Sequence, residues 1–515
     1  MSATYLIGVD LGTSATKAAL YHLDGTLVAE ASAEVPLHYG APGVVEQDHA
    51  DFYRTAAQTV RACLSESAID PRAVLAIGFD SQMAGIGAID EQFEPVGAFD
   101  SWLDMRCQPY IEQIAEEYGD RITRLTGCPP TADHGPKIMW RRDERPAEYA
   151  RIAKFVVPAA YVAGRMAGLR ADDAFIDHTF IHFSALSDAR TGTWSLELCG
   201  LLGVDPNKLP HIVAPSQIIG EVSEAAARDF GLAPGTPIVA GAGDTAAGAL
   251  GAGVVRVGML LDTAGTASVL AGCTDHFVAD AENRALLTMR SVIPGLWHPL
   301  AYVGGGGLAL HWFRDQFAGT SSTAASDVDL YTQLAAEAAS IKPGADGLFF
   351  SPHLGGRICP SEPTMRGAWL GFSWGHTRAH FFRAILESVA FEYAYYLGIL
   401  RDLIPNFNVS EARVIGGGAQ SMAWNQIKAD VLGVCYQRLK RAEFATWGAA
   451  LIAGHGVGLF PNLAETAVTT TTAQSVPIEP NVEHTIAYRE LSRRYVGWQG
   501  ILKDGFRSFA EPTHD

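Results

Sequence analysis

A chain of 515 residues that is 48% hydrophobic and 18% charged is typical of a globular protein with large buried cores, not of a disordered one. Its formal net charge of −18 and the lack of any run of Lys or Arg argue against a nucleic-acid partner, because phosphate backbones bind to basic surfaces. The chain has no uncharged apolar stretch long enough to span a bilayer, no basic leader and no CxxC pair among its seven cysteines, and this predicts a cytoplasmic protein without a membrane partner.

The first 81 residues predict three strands, a helix and a further strand. Apolar runs separated by turn residues place the three strands within residues 5–33, where Asp24-Gly25 is a strong hairpin signal. Asp48 is placed to cap a helix whose apolar residues lie on one face, and residues 74–81 form an apolar strand that ends at polar residues. This order of elements is that of the ribonuclease-H-like half of an actin-type ATPase.

The same pattern returns in the second half of the chain. After the Gly/Ala-rich passage of residues 241–258, a strand and a Gly-Thr turn restart at Met259. Aligning the Gly-Thr pairs of the two halves puts Thr263 opposite Asp10, so only the first half carries an acid there. The repeat predicts an α/β protein with two ribonuclease-H-like (actin-like ATPase) domains, residues 1–253 and 254–515, flanking a cleft. Coincidence between two Gly-rich hairpins is the alternative.

The two Gly-Thr turns have the composition of a phosphate clamp. A tight turn exposes backbone N–H groups, hydroxyls add donors, and the acid Asp10 can orient a hydrated Mg²⁺. A plain hairpin is the alternative for either turn alone, but the pair favours phosphate binding. The predicted phosphate-binding residues are Gly12, Thr13, Ser14, Lys17, Gly265 and Thr266.

Two further glycine-rich loops join a strand to a helix. In residues 302–312 and 414–433 consecutive glycines offer flat backbone on which a planar base can lie. The chain has neither a GxxxxGK[ST] P-loop nor a GxGxxG fingerprint after a strand. We therefore expect the nucleotide to contact these loops at Gly305, Gly306, Gly417, Gly418, Ala419 and Asn425.

Three motifs resemble those of one protein family. The segment "RGAWLGFSWGHTRAHFFRAILESVAFE" (residues 366–392) resembles the C-terminal signature of the FGGY carbohydrate kinases, with Phe372 a mild departure. "KIMW" (residues 137–140) matches the centre of the N-terminal signature, although Arg141 follows where an apolar residue is usual, and "GGGAQSMAWNQIKADVLG" is similar to the adenosine loop. The overall pattern is nearest to the xylulokinases. The resemblance implies an actin-like fold and an ATP- and Mg²⁺-dependent transfer of phosphate to a sugar.

The resemblance also implies the catalytic base. In this family the acid of a G-x-x-D turn ahead of the domain crossover has that role, and in "GAGDTAAG" it is Asp244. A carboxylate that accepts the proton of a sugar hydroxyl suits phosphoryl transfer, and Asp244 is also a candidate ligand, with Asp10, for the metal. A plain helix N-cap is the alternative for Asp244.

The sugar site is placed in the first half by the same resemblance. "SQMAGIGAID" and "WLDMRC" are similar to segments in which a Met-His pair, a Trp and an Asp contact the sugar, which here implies Met83, Ala84, Trp102, Asp104 and Arg106. Thr245, directly after the catalytic acid, is the remaining predicted sugar contact. Ala84 replaces the usual His, and Thr245 replaces the usual Asn after the catalytic acid. Both changes remove polar partners, so ribulose, glycerol, gluconate or a tetritol remain open as substrates. D-xylulose, giving xylulose 5-phosphate, is the leading substrate because the overall pattern is nearest to the xylulokinases.

Two rival functions follow from the same residues. The first keeps the kinase and changes its sugar or polyol. The second is a non-catalytic actin-fold ATP-binding regulator, which would have no use for Asp244 or for the Trp102 segment. A homodimer is compatible with the sequence, and the residues after Phe460 predict a helix around residues 484–502.

Overall fold

The computed structural model describes residues 4–317, 327–441, 443–472 and 475–510. One large mixed sheet lies in the first half of the chain, in the order β3-β2-β1-β4-β6-β5. Its strands are β1 (Tyr5–Leu11), β2 (Ala15–His22), β3 (Leu27–Glu34), β4 (Val74–Ser81), β5 (Ile218–Glu221) and β6 (Pro237–Gly243).

A second large sheet lies in the second half, in the order β9-β10-β8-β7-β11-β12-β13. Its strands are β7 (Met259–Ala264), β8 (Ser268–Gly272), β9 (Leu287–Arg290), β10 (Trp297–Val303), β11 (Glu411–Ile415), β12 (Tyr436–Leu439) and β13 (Ser475–Ile478).

The two sheets follow one plan. Each begins with an antiparallel meander, β1-β2-β3 in the first and β7-β8-β10 in the second. Each then adds two strands parallel to the first strand, β4 and β6 or β11 and β12, which require crossover connections. An antiparallel strand closes one edge of each sheet, β5 or β13, while β9 is an addition to the second sheet. The α/β prediction and the predicted repeat are confirmed.

Helices cover the sheets, and two of them begin at the residues that the sequence predicts as N-caps. Asp48 accepts a hydrogen bond from Ala50 N at the start of the first helix, and Ser421 caps the helix that ends at Leu432. The helices are α1 (His49–Ser67), α2 (Gln108–Thr126), α3 (His134–Glu144), α4 (Pro146–Arg151), α5 (Pro158–Ala167), α6 (Leu196–Leu202), α7 (Glu224–Phe230), α8 (Asp244–Gly251), α9 (Gly306–Phe317), α10 (Asp327–Ala339), α11 (Arg378–Leu403), α12 (Met422–Leu432), α13 (Ala445–Gly456), α14 (Leu463–Thr472) and α15 (Val482–Ala510).

Short strands form small additional sheets around the first large one and beside the second. They pair His38–Tyr39 and Phe99–Asp100 with Val45–Gln47, Gly87–Ile89 with Lys154–Val156, Phe175–Asp177 with His211–Val213, Ser187–Asp188 with Thr193–Trp194, and Phe349–Ser351 with Ala368–Leu370. None of the helices in the described ranges combines the length and the apolar character needed to cross a bilayer.

Two equivalent helices join the halves. Helix α8 follows β6 in the first half as α13 follows β12 in the second, and the two pack directly on each other. The approach is so close that a Cβ on Gly448 would overlap the carbonyl oxygen of Ala247, and one on Gly251 would overlap that of Phe444. Helix α13 also lies against β1 and β4 of the first sheet. The division of the chain at residues 253 and 254 stays a prediction.

Candidate active site

Three carboxylates meet at one edge of the first sheet. Asp10 in β1 and Asp80 in β4 are register partners in neighbouring parallel strands. In β6, Gly243 pairs with Ser81, so Asp244 follows directly at the same edge. Since the carboxyl ends of parallel strands share an edge, the fold itself brings the three acids together.

The electrostatics of this cluster are those of buried like charges. Burial, and then the charge of Asp244, raise the pKa of Asp10 to about 7. Burial raises the pKa of Asp244 to about 6 despite hydrogen bonds from Thr245, and burial with both neighbouring acids raises the pKa of Asp80 well above its usual range. Ionising all three carboxyl groups at once is unfavourable in free energy unless a cation lies nearby.

Asp80 is the member of this cluster that sequence reasoning missed. It lies within the strand predicted over residues 74–81, and its side chain is fully buried. A usable signal was present, because Asp80 stands at the polar end of a predicted strand, as Asp10 does. Only the register of β1 against β4 shows that the two are neighbours.

The donor set of the cluster suits a hydrated divalent cation. Asp10 Oδ1 and both oxygens of Asp80 are buried without a hydrogen-bond partner among the described residues. Within those residues, no set of three His, Cys, Asp or Glu side chains forms a preformed metal cage. Mg²⁺ usually keeps several waters and binds through one or two carboxylates together with substrate phosphates, so Asp10 and Asp244 fit that mode.

Asp244 lies at the start of α8, and one of its carboxylate oxygens accepts hydrogen bonds. Gly243, not Asp244, is the N-cap residue, and Asp244 Oδ1 accepts hydrogen bonds from Thr245 N at 2.5 Å and Thr245 Oγ1 at 3.1 Å. No group of the described residues donates a hydrogen bond to Oδ2. The carboxylate is only partly buried and lies near Tyr302 of β10, whose pKa is raised by burial and then by the Asp244 charge. Asp244 therefore lies between the two halves of the molecule.

The first Gly-Thr turn is held by side chains from other segments. Gly12 N donates to Ala15 O at 3.1 Å, while Gln47 Nε2 donates to the Thr13 carbonyl at 2.9 Å. Ser14 is exposed. Lys17, expected at the phosphates, forms an ion pair of 2.9 Å with Glu443 of the second half.

The second Gly-Thr turn and the loop after β10 lie against each other. Gly307 N donates to Gly265 O at 3.0 Å, and Leu308 N donates to Thr266 O at 2.9 Å. A Cβ on Gly306 would overlap the Ser268 hydroxyl. Gly305 lies in the same loop, so this arrangement brings four of the predicted residues together.

The loop after β11 reaches the same place. A Cβ on Gly418 would lie 2.6 Å from the Trp424 ring and 2.8 Å from the Ala264 side chain, at the end of β7. Gly417 lies beside it in the loop. Asn425, expected to reach the base, is instead fully buried beneath the loop, where its Nδ2 donates to Ala419 O at 2.8 Å. In this structure Asn425 supports the loop from below.

Trp102, the predicted sugar platform, lies next to the first Gly-Thr turn. Trp102 is 46% exposed, and its Nε1 donates to Thr13 Oγ1 at 2.8 Å. Met83 is buried and packs on Gly243, immediately before Asp244, while Ala84 is partly buried beside it. Trp102 is thus bonded to the first Gly-Thr turn, and Met83 packs on the backbone that immediately precedes Asp244.

Asp104 and Arg106 belong to a buried ion-pair network in this structure. Arg106 pairs with Glu46 at 2.7 Å, Asp100 at 2.8 Å and Asp104 at 2.9 Å, and Asp104 Oδ2 accepts from Val45 N at 2.9 Å. These contacts hold the segment that carries Trp102. The two residues, expected to contact sugar hydroxyls, are here engaged with protein groups.

Comparison with known proteins agrees with the geometry. The N-terminal domain model of the FGGY family of carbohydrate kinases matches residues 5–251, and the C-terminal domain model matches residues 262–457. The xylulose kinase of Bacillus subtilis is 27% identical over 475 residues, covering 90% of both chains. The gluconokinase of the same organism is 26% identical over 520 residues, covering 99% of this chain and 98% of the relative.

A solved structure shares the whole fold. The crystal structure of xylulose kinase from Rhodospirillum rubrum superimposes with a TM-score of 0.88 at 26% identity and covers 98% of this chain and 100% of its own. That fold, the paired sheets and the two domain models together span both halves of the sequence. The chain therefore belongs to the FGGY family of carbohydrate kinases.

Proposed function

We propose that this ATP-dependent carbohydrate kinase transfers the γ-phosphate of ATP to D-xylulose, giving xylulose 5-phosphate. The observation that carries the proposal is the partly buried Asp244 carboxylate, whose Oδ2 has no hydrogen-bond donor among the described residues and which lies near Asp10 of the first half and Tyr302 of the second. The similarity to relatives named xylulose kinase over nearly the whole chain supports this choice of sugar.

Asp244 acts as the general base in this proposal. The accepting sugar hydroxyl gives its proton to Asp244 Oδ2 as its oxygen forms a bond to the γ-phosphorus. The bond between that phosphorus and the β–γ bridging oxygen breaks, and ADP leaves with the electron pair. Thr245 N and Oγ1 hold Oδ1, which orients the carboxylate and leaves Oδ2 without a donor among the described residues.

The remaining residues bind and position the reactants. Asp10 and Asp244 would hold Mg²⁺, which neutralises charge on the β- and γ-phosphates when it is bound. Gly12 N and Gly265 N bond to Ala15 O and Thr263 O within the two Gly-Thr turns, so the other backbone N–H groups of these turns bind phosphate oxygens, and the loops at 304–307 and 416–419 receive the nucleoside. Trp102 stacks on the apolar C–H face of the sugar.

Gluconate is the second candidate substrate. The relatives named gluconokinase match this chain at nearly the same identity and over nearly its full length. Ala84 and Thr245 remove a ring nitrogen and an amide from positions where the xylulokinases have them, so the sugar pocket differs in its hydroxyl partners. A site that lacks a hydrogen-bonding group discriminates hydroxyl patterns differently.

A panel of acceptors assayed for ADP release tests the proposal. D-xylulose, D-ribulose, glycerol, D-gluconate and erythritol are compared by kcat/KM at saturating ATP and Mg²⁺. We expect the highest kcat/KM for D-xylulose. A higher value for gluconate would overturn the choice of sugar, and ADP release that no acceptor stimulates would overturn the kinase role. A cytoplasmic location and a homodimer stay predictions.

A further inference from the structure

The backbone immediately before Asp244 is anchored by a distant hydroxyl. Gly243 N donates a hydrogen bond of 2.9 Å to Thr179 Oγ1, across 64 residues of sequence. Thr179 is fully buried, so water does not compete for this bond. Sequence reasoning gave Thr179 no role.

The direction of this hydroxyl is set by a buried acid. Asp177 Oδ1 accepts hydrogen bonds from Thr179 Oγ1 at 2.6 Å and from Thr179 N at 2.9 Å. Asp177 is 2% exposed and ends the short strand Phe175–Asp177, which pairs with His211–Val213. Since the Thr179 proton is given to Asp177, the lone pairs of the hydroxyl remain available for the N–H of Gly243.

Gly243 is a position that needs an anchor. As a glycine it has more accessible backbone conformations than any other residue, and it has no side chain with which to cap α8. A Cβ at 243 would lie 2.4 Å from the end of the Met83 side chain, so a larger residue there would require Met83 to move. The next Cα, that of Asp244, lies about 3.8 Å away along the chain, so a shift of Gly243 moves the carboxylate with it.

We infer that Thr179 is a positioning residue for Asp244: its hydroxyl, oriented by Asp177, fixes the Gly243 peptide and so places the carboxylate in line with the accepting hydroxyl. This inference rests on the proposed role of Asp244 as base. It adds a second anchor to the hydrogen bonds from Thr245, which fix the side chain but not the backbone ahead of it. Misplacement of a reacting group by about 1 Å can cost about 10²-fold in rate.

Three variants test the hydroxyl. Thr179→Val keeps the shape and removes the hydroxyl, whereas Thr179→Ser keeps the hydroxyl. We expect kcat to fall about 10- to 100-fold in the valine variant with KM for ATP unchanged, and to stay within about threefold of the parent in the serine variant. Thr288→Val is the matched control, because Thr288 is fully buried in β9 and its hydroxyl has no partner in the described structure. Its kcat should not change.

A pH profile separates positioning from general loss of structure. In the valine variant the acid-side midpoint of kcat/KM, which we assign to Asp244, should shift, while it should stay at the parent value in the serine and Thr288 variants. If Thr179→Val does not fold, as judged by circular dichroism, Thr179→Ala repeats the measurement without a methyl group placed against Gly243.

Several outcomes would overturn the inference. Parent-like kcat in the valine or alanine variant would do so, and so would equal impairment of the valine and serine variants, since the hydroxyl would then not be the cause. Asp244→Asn tells this failure apart from failure of the proposed function. If Asp244→Asn is inactive while Thr179→Val is unimpaired, the inference about Thr179 is wrong and the proposed role of Asp244 stands. If Asp244→Asn is active, Asp244 is not the general base and the proposed mechanism is wrong.

Discussion

At the scale of single residues, Asp244 is the acid of the cluster that begins α8 and whose charge acts on Tyr302 of the second half. Replacing it by Asn preserves the shape and the bond from Thr245 but removes the proton acceptor. We expect Asp244→Asn to lower kcat by at least about 10²-fold. ATP binding, measured by isothermal titration calorimetry, should remain intact. Unchanged turnover would contradict the role as base, and Asp24→Asn at the exposed first hairpin serves as control.

The pKa of the base predicts how activity depends on pH. Burial raises the pKa of Asp244 to about 6, and a general base works only when it is ionised. The value of kcat/KM for the sugar should therefore be constant above about pH 7 and fall about tenfold per pH unit below about pH 6. Steady-state kinetics between pH 5 and pH 8 check this, with thermal unfolding at each pH as control. A profile that is flat through pH 5 would contradict it.

Trp102 tests the placement of the sugar. Its ring is half exposed beside Thr13, so truncation to Ala removes a stacking face without opening the core. We expect Trp102→Ala to raise KM for the sugar about tenfold and to leave KM for ATP nearly unchanged. Trp498→Ala in α15, with a ring 41% exposed, is the matched control and should change neither constant. If only KM for ATP changed, the assignment of Trp102 to the sugar site would be wrong.

At the scale of elements, the contact between α8 and α13 is where the two halves meet. It depends on small residues, because the Gly448 backbone lies directly on the Ala247 carbonyl. We expect Gly448→Ala to destabilise the protein by about 1–3 kcal/mol through overpacking. Gly398→Ala in α11 is the control, since a Cβ there meets nothing within 4 Å and should stabilise the helix by up to about 1 kcal/mol. Melting temperatures by calorimetry compare the two, and equal shifts would contradict the expected difference.

At the scale of the whole molecule, the site is divided between two halves, and Asp244 and Tyr302 approach each other across the division. Kinases commonly close around both substrates, because water is otherwise an alternative phosphate acceptor. We expect sugar with a non-hydrolysable ATP analogue to reduce the radius of gyration in small-angle X-ray scattering, and either ligand alone to reduce it less. An unchanged radius with both ligands would contradict closure about the α8–α13 contact.

Local patterns were sufficient for much of this molecule. Asp48 and Ser421 mark helix starts by their own side chains, and the strand at residues 74–81 and the helix ending at Leu432 have the predicted bounds. The terminal helix α15 extends beyond residues 484–502 on both sides, and no proline interrupts it between Pro480 and Pro512.

Other features depend on contacts between distant segments. The alignment that put Thr263 opposite Asp10 agrees with the two sheets, where Asp262 instead forms a buried pair with Lys428 at 2.7 Å. That Asn425 lies beneath its loop and that Asp104 is paired with Arg106 follow from burial and ion pairing, which no periodicity reveals.

By itself, the sequence determined the α/β repeat, the glycine turns and the family motifs, since each of these is written in residues that are close along the chain. Only the tertiary structure decided that Asp80 joins Asp10 and Asp244, that Trp102 bonds Thr13, and that Thr179 holds Gly243. The physical reason is that strand register and side-chain burial are set by packing over the whole fold. A shift of one residue in the register of β4 against β1 would turn Asp80 to the other face of the sheet, and the partners of Trp102 and Thr179 lie far from them along the chain.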